Sequence, residues 1–291
     1  MTLFPESLPQ PQLHQYLLGI VAPRPIAFVS TLAPDGTPNL APYSFFNCFS
    51  SNPPIVVFSS NRRARNRSVK DTLSNIEATG EAVINAVSYD IAWQMSLAGV
   101  EYPPEVSEFE KAGLTPLASE RVKPFRVAES PAQLECRVQQ IIPLGDGGGA
   151  GNLILCEVVA IHIAERVLDA ESRIDPHKID LMARMGRAFY CRASGGAVFP
   201  IPQDQQAMSI GFDGLPPQIR HSAVLTGNDL AQLASALEVP ARDGSALADP
   251  EVVQALAEGA EAGVLRLHGY AQALIRAGEL GRAWQVLLSG E

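Results

Sequence analysis

Over residues 1–195 the apolar positions recur mostly with a period of two, the spacing of half-buried β-strands. IAFVSTL (26–32) reads as a strand, Pro34-Asp35-Gly36 as the hairpin turn after it, and NLAPYSFF (39–46) as the return. IVVFSS (55–60) and AVINAVS (82–88) continue the series. Between these two, Val69, Leu73 and Ile76 fall at i, i+4 and i+7, which predicts a short helix with Ser68 as its N-cap. Residues 133–142 alternate, with Leu134, Cys136, Val138 and Ile142 on one face and Gln133, Glu135, Arg137 and Gln139 on the other. LILCEVVAIHIA (153–164) is a longer strand, apolar on both faces for much of its length. The glycine run GDGGGAG (145–151) joins these two strands. A β segment follows it where a dinucleotide-binding loop would need a helix, so a flexible hairpin connection is expected. Residues 1–11, with Pro5, Pro9 and Pro11, read as an arm. Short antiparallel strands with one or two small helices predict a barrel.

From residue 201 the pattern changes. Pro200, Pro202, Pro216 and Pro217 mark an extended connection, after which the apolar spacing becomes helical. Asp249-Pro250 is a helix start, with an acid at the N-cap and proline at the first helical position. Leu230, Leu233 and Leu237 are expected on one face, as are Tyr270 with Leu274, and Leu280 and Trp284 with Leu287. The expected organisation is a β-rich domain over 1–200 and a small all-α extension over 201–291.

Charge sharpens that division. The net charge is −9, the surplus of acids lies mostly in the tail, and all four lysines precede it. This balance argues against a protein that coats nucleic acid or lies on a membrane by a basic helix. No apolar run approaches the length of a bilayer span, and the first basic side chain is Arg24. Cys48, Cys136, Cys156 and Cys191 form no CxxC pair and no metal-ligand spacing, although Cys136 and Cys156 could be neighbours on paired strands. Reduced thiols, a cytoplasmic location and no metal site are expected.

The chemistry concentrates in two stretches. APYSFFNCFSSNPP (41–54) mixes Phe45, Phe46 and Phe49, which suit a barrel wall, with Ser44, Asn47, Ser50 and Ser51. SSNRRARNRSVKDT (59–72) crowds Arg62, Arg63, Arg65, Arg67 and Lys70 together in an otherwise acidic chain, next to hydroxyls and a helix start. Cations, hydroxyls and free backbone N–H groups are what a phosphate requires, while a solvated basic loop is the plain alternative. A flat ring at one end and a phosphate at the other describe a flavin mononucleotide.

PRPIAFVST (23–31), DGTPNLAPYSFFNCFSSNPPIVVFSS (35–60) and KDTLSNIEATGEAVINAVS (70–88) closely resemble the flavin reductase-like family with the FMN-binding split β-barrel. ARMGRAFYCR (183–192) is similar to that family's closing motif of an arginine, a glycine and a tyrosine. The resemblance covers about residues 15–195. It implies a mainly β fold with helical additions, an antiparallel Greek-key split barrel, and a homodimer with FMN in a groove near the subunit interface. Carried over by position, Tyr43, Ser44, Phe46, Asn47, Ser50 and Ser51 would line the isoalloxazine and ribityl. Ser59, Ser60, Lys70, Asp71 and Thr72 would surround the phosphate, with Arg62 added on charge and position alone. Arg24, within the family-like PRP, and His177, in RIDPHKID, are the candidates for substrate contact.

The implied activity moves a hydride from NADH or NADPH onto FMN, a step that needs stacking and no protein acid or base, so no catalytic side chain is nominated. An oxygenase or another electron acceptor would take the product. The alternative is an electron-transfer flavoprotein of the flavoredoxin kind without nicotinamide turnover; a binding module that has lost the flavin is a third reading. His162 is expected as a packed or surface side chain, and Trp93 and Met95 as core or dimer-interface residues. Arg220 and His221 could form a lid over the groove, or the tail could extend the dimer interface.

Overall fold

The strands run in the order β1 (Arg24–Pro25), β2 (Ala27–Leu32), β3 (Pro38–Tyr43), β4 (Phe46–Ser51), β5 (Pro54–Ser59) and β6 (Glu81–Asn85). After two short ones, β7 (Pro116–Leu117) and β8 (Arg126–Val127), come the long β9 (Ala132–Pro143) and β10 (Asn152–Ile163), then β11 (Met182–Arg184) and β12 (Tyr190–Arg192). The structure is a computed structural model and describes residues 1–202 and 207–290. Seven strands form one sheet in the order β3-β2-β6-β9-β10-β5-β4, each neighbouring pair antiparallel. β3 and β4 are its opposite edges, yet only Ser44 and Phe45 separate them in sequence. Three Cα steps span at most ~11 Å, so the sheet must curl until its edges nearly meet without pairing. That is a split antiparallel barrel, as the alternating pattern predicts.

The barrel core takes alternate residues from the strands: Ala27 and Val29, Val56 and Phe58, Ala82 and Ile84, Ile154 and Cys156. Leu73 and Ile76 of helix α2 (Asp71–Thr79) pack into the same core. At about 1.5–3 kcal/mol per buried large side chain, these contacts fix the start of α2 relative to β3 and β5. Asp71 in the first turn favours the helix dipole, and Gly80 in the left-handed region (φ 70) ends it. The N-cap is Lys70 rather than the expected Ser68. Asn66 Oδ1 accepts both the Ser68 N–H (3.1 Å) and the Ser68 hydroxyl (2.8 Å), and that local turn keeps Ser68 outside the helix.

Phe28 and Leu40 face away from the barrel, into a second cluster with Met95 and Phe109 from α3 (Ala92–Leu97) and α4 (Glu108–Ala112). More helix is present than the one or two segments expected. α3, α4 and α5 (Pro176–Ile179) are too short to show a period. Most of the arm expected over residues 1–11 precedes α1 (Gln10–Ile20), a helix that buries no residue and so carries no apolar stripe to read. Met95 is core, but Trp93 is 87% exposed and belongs to no core.

In β9 the alternation breaks at a bulge opposite Leu155/Cys156, so Ile141, not Ile142, packs on the core. Glu135, expected on the polar face, is fully buried. Its carboxylate accepts the backbone N–H groups of Glu120 (2.9 Å), Arg121 (2.6 Å) and Val122 (3.2 Å) and lies 2.6 Å from His162 Nε2. These bonds hold its pKa below the usual carboxylate value against the opposing effect of burial. All four cysteines are free thiols.

The chain divides into two compact units, residues 1–199 and 200–291. The second contains α6 (Pro217–Arg220), α7 (Gly227–Ala234), α8 (Pro250–Ala257), α9 (Ala260–Arg276) and α10 (Leu280–Leu288) around its own core, in which Leu233, Val252, Leu267 and Trp284 are buried. The Asp249 side chain caps α8 by accepting the Glu251 N–H at 3.1 Å. Leu237 does not share the Leu230 face: α7 stops at Ala234 and Leu237 is 65% exposed. Among the described residues no helix is long and apolar enough to cross a membrane.

Candidate functional site

Tyr43 ends β3 at the split, and its ring packs against Phe58 with centroids 5.2 Å apart. Its hydroxyl is buried without a hydrogen-bond partner. Burial pushes the phenol pKa up, and the nearby Thr72 and Ser60 hydroxyls oppose that shift without reaching bonding geometry. Ser60, just past β5, exchanges backbone hydrogen bonds with Asn152 at 3.1 Å in both directions, yet its own hydroxyl is also buried and unpartnered. Lys70 sets its ammonium 5.2 Å from the Tyr43 centroid. Burial, and then the Arg63 charge, lower the Lys70 pKa. Thr72 Oγ1 accepts from Asn39 Nδ2 (2.9 Å), which also donates to Thr31 Oγ1 (3.1 Å). A small cavity of about 70 Å³ runs along Arg63, Lys70, Asp71 and Thr72.

Arg63, rather than Arg62, anchors the head of α2. It donates to Glu101 Oε1 (3.0 Å), Ser68 Oγ (3.2 Å) and the Val69 carbonyl, and lies 3.9 Å from Asp71. Arg62 faces the glycine loop: its N–H donates to the Ala150 carbonyl (2.8 Å), and its carbonyl accepts from Gly149 (3.1 Å). Its Nε is buried and unpartnered. A Cβ on Gly148 would lie 2.6 Å from the Ala64 carbonyl, so glycine is what lets the two loops approach. Ser59 Oγ donates to Asn61 Oδ1 (3.1 Å) beside the same loop.

On the other side of Tyr43 a cleft of about 250 Å³ is lined by Ser44, Met95, Ser96, Arg184 and Tyr190. The two cavities share Pro42, Tyr43 and Gly99, so one groove follows the end of β3. The expected site residues therefore divide. Tyr43, Ser44, Lys70, Asp71 and Thr72 line the groove, with Ser60 next to Tyr43 and with Ser59 and Arg62 at the glycine loop. Phe46 packs on the barrel core. Asn47 and Ser51 are exposed on the edge strand β4, Ser50 is half-buried there, and none of the three lines the groove. Phe45 and Phe49 are 37% and 69% exposed, so the expected aromatic wall is Phe46 alone, because an edge strand has one covered face.

Arg24 donates to the carbonyls of Leu18 (2.7 Å), Val21 (2.5 Å) and Met185 (3.0 Å) and is 5% exposed. It ties α1 to β11 and lines neither cavity, whereas His177 is exposed on α5, away from both. Residues that the sequence reading passed over are Asn39, Glu101 and Glu108, whose Oε2 accepts the Leu40 N–H at 3.0 Å. Nothing in a lone acid's neighbours marks such a role. Among the described residues no group of three or more His, Cys, Asp or Glu could hold a metal ion.

A family model for the flavin reductase-like domain matches residues 21–179, more than half the chain. This chain belongs to the flavin reductase-like family. An uncharacterized protein of Aquifex aeolicus is 39% identical over 183 residues, which is 63% of this chain and 91% of that protein. Nitrilotriacetate monooxygenase component B from Bacillus cereus superposes with a TM-score of 0.64 at 30% identity, over 69% of this chain and 98% of its own. Pseudomonas fluorescens 2-nitrobenzoate 2-nitroreductase gives a TM-score of 0.61 at 30% identity, over 69% and 96%. The family match ends before the helical unit begins.

Proposed function

We propose that this flavin reductase-like chain binds FMN along the β3 groove and passes a hydride to it from NADH or NADPH. The observation that carries this reading is a pair of buried hydroxyls left unpaired at one place, Tyr43 Oη and Ser60 Oγ, with Thr72 beside them and the Lys70 ammonium over the Tyr43 ring. An unpaired buried polar group costs about 1–3 kcal/mol, and a phosphate with its ribityl chain offers acceptors to all of them. Lys70, Arg62, Ser59, Ser60 and Thr72 would hold the phosphate, with Asp71 orienting its surroundings. Tyr43 and Ser44 would place the ring along the end of β3, where the two cavities meet, backed by Phe46 in the barrel core. When bound, the flavin supplies the two-electron chemistry, and the chain's own residues bind and orient.

The exposed apolar side chains of Ile20 (77%), Phe49 (69%) and Trp93 (87%) favour a second copy as their cover, hence a homodimer. The likeness to a monooxygenase component B favours an oxygenase as the acceptor's owner. Four free thiols fit a reducing cytoplasm. The test is a visible spectrum of the purified protein with added FMN, followed by NADH and NADPH oxidation. A shifted flavin band and turnover are expected. No spectral change overturns flavin binding; bound FMN without turnover selects the electron-carrier alternative.

A further inference from the structure

Arg184 stands half-buried at the wall of the 250 Å³ cleft. Its Nη2 donates to the Arg187 carbonyl (2.8 Å) and its Nη1 to Tyr190 Oη, and the Tyr190 ring centroid lies 4.5 Å from its Cζ. The rest of the guanidinium fork is uncommitted. Arg24 is close enough that the Arg184 charge adds to burial in lowering its pKa. Among the described residues neither arginine has a carboxylate within 4.0 Å. Asp180, which faces β12, is already held by Arg192 at 2.6 and 2.7 Å. Among the described residues no acid lines the cleft, whose other walls include the apolar Ile26, Pro42 and Met95 and the Ser44 and Ser96 hydroxyls. A half-buried guanidinium without a counter-ion, beside a second, buried arginine whose donors are already spent on carbonyls, favours an anion at its free donors.

Resting on the reading that a flavin ring occupies the Ser44 side of this groove, we propose that the Arg184 cleft binds the carboxylate of a small planar organic acid, a second substrate of the flavin site. A guanidinium held flat on a tyrosine presents coplanar donors, which match a carboxylate in two-point contact. The apolar walls suit the face of a ring. At about 250 Å³ the space falls just below the ~300–1,000 Å³ of ordinary ligand pockets, so the acid is small.

The experiment is calorimetric titration of the full chain, with and without FMN, using benzoate and its neutral isostere benzamide. Benzoate is expected to bind saturably and benzamide at least tenfold more weakly. Arg184→Gln, if folded, is expected to weaken benzoate by roughly ten- to a hundredfold, the loss of a charge-assisted contact. Equal binding of benzoate and benzamide overturns the proposal, and that comparison needs no variant. Unchanged benzoate affinity in Arg184→Gln does the same. Inorganic pyrophosphate displacing benzoate at equal or lower concentration overturns it in favour of a dinucleotide phosphate. A chain that binds benzoate but not FMN leaves this site standing and removes the flavin reading instead.

Discussion

Lys70 rests its ammonium on the face of Tyr43, 5.2 Å from the ring centroid, with no carboxylate in ion-pair contact among the described residues. A lysine that is partly desolvated and satisfied only by a ring is poised for an anion. Thr72 stands two residues along, with its hydroxyl bonded to Asn39. Lys70→Ala combined with Thr72→Ala is therefore expected to weaken FMN by about a hundredfold or more, at ~1.5–3 kcal/mol per charge-assisted contact. Riboflavin, which lacks the phosphate and so loses no charge-assisted contact, is expected to change by less than about threefold. Fluorescence titration with both flavins checks this; equal losses would mean that the phosphate lies elsewhere.

The same lysine gives the site a pH signature. Its pKa is lowered from 10.5, first by burial and then by the Arg63 charge. FMN affinity is expected to fall as pH rises through this lowered value, earlier than an ordinary lysine would allow, because the neutral amine no longer neutralises phosphate. Flavin-free protein has the opposite sign: the unfolded chain binds the proton more tightly, so the Lys70 contribution to stability grows as pH rises through that range. Dissociation constants for FMN and riboflavin between neutral pH and the ordinary lysine value should converge, with only the FMN curve bending.

Gly148 and Gly147 provide a matched pair. A Cβ at Gly148 would meet the Ala64 carbonyl at 2.6 Å, whereas at Gly147 it meets nothing within 4 Å. Gly148→Ala is expected to cost ~1–3 kcal/mol, as for other overpacking changes, and to displace the loop that carries Arg62. FMN affinity should drop with it, and Gly147→Ala should leave both quantities near wild type. Denaturant midpoints and flavin titrations on the two variants decide whether the glycine loop shapes the phosphate side.

The barrel was legible because alternation survives translation into structure wherever a strand has one covered face. Val29, Phe58 and Ile84 sit where the period puts them. The pattern failed where a local event reset the phase, as at the bulge that hands the core position from Ile142 to Ile141. It failed again at Glu135, whose partners are backbone N–H groups of residues 120–122 that no periodicity reveals. In the site, the hydroxyl-and-cation run pointed to Lys70 and Thr72, and the fold sets both beside Tyr43 on the groove, since neighbours in sequence needed only one long-range contact. Arg24 and His177 line neither cavity, because a motif gives position but not which way a side chain spends its donors. Arg184 was visible in the closing motif, but its unpaired state depends on the absence of acids from three separate segments.

The helical unit carries its own titratable lock. His268 is 5% exposed, and its Nδ1 lies 2.7 Å from Ser222 Oγ, which also accepts the N–H groups of Val224 (3.1 Å) and Leu225 (3.0 Å). With both acceptor positions of the hydroxyl taken, Ser222 must donate to Nδ1, so the imidazole has to be neutral. Burial lowers the His268 pKa below its ordinary 6.5. A depressed folded pKa means the contribution is fully present above the unfolded value and is lost as pH falls through the folded one. The unit should therefore be less stable in mild acid than at neutral pH, and His268→Gln should flatten that dependence while lowering stability at neutral pH. Tryptophan emission isolates the effect, because Trp284 is 2% exposed in this core while Trp93 is 87% exposed in the barrel unit. Urea midpoints followed by the emission shift on either side of the histidine range should differ in the wild type more than in His268→Gln. Equal differences in the two proteins would show that protonation of His268 is not what couples this unit to pH.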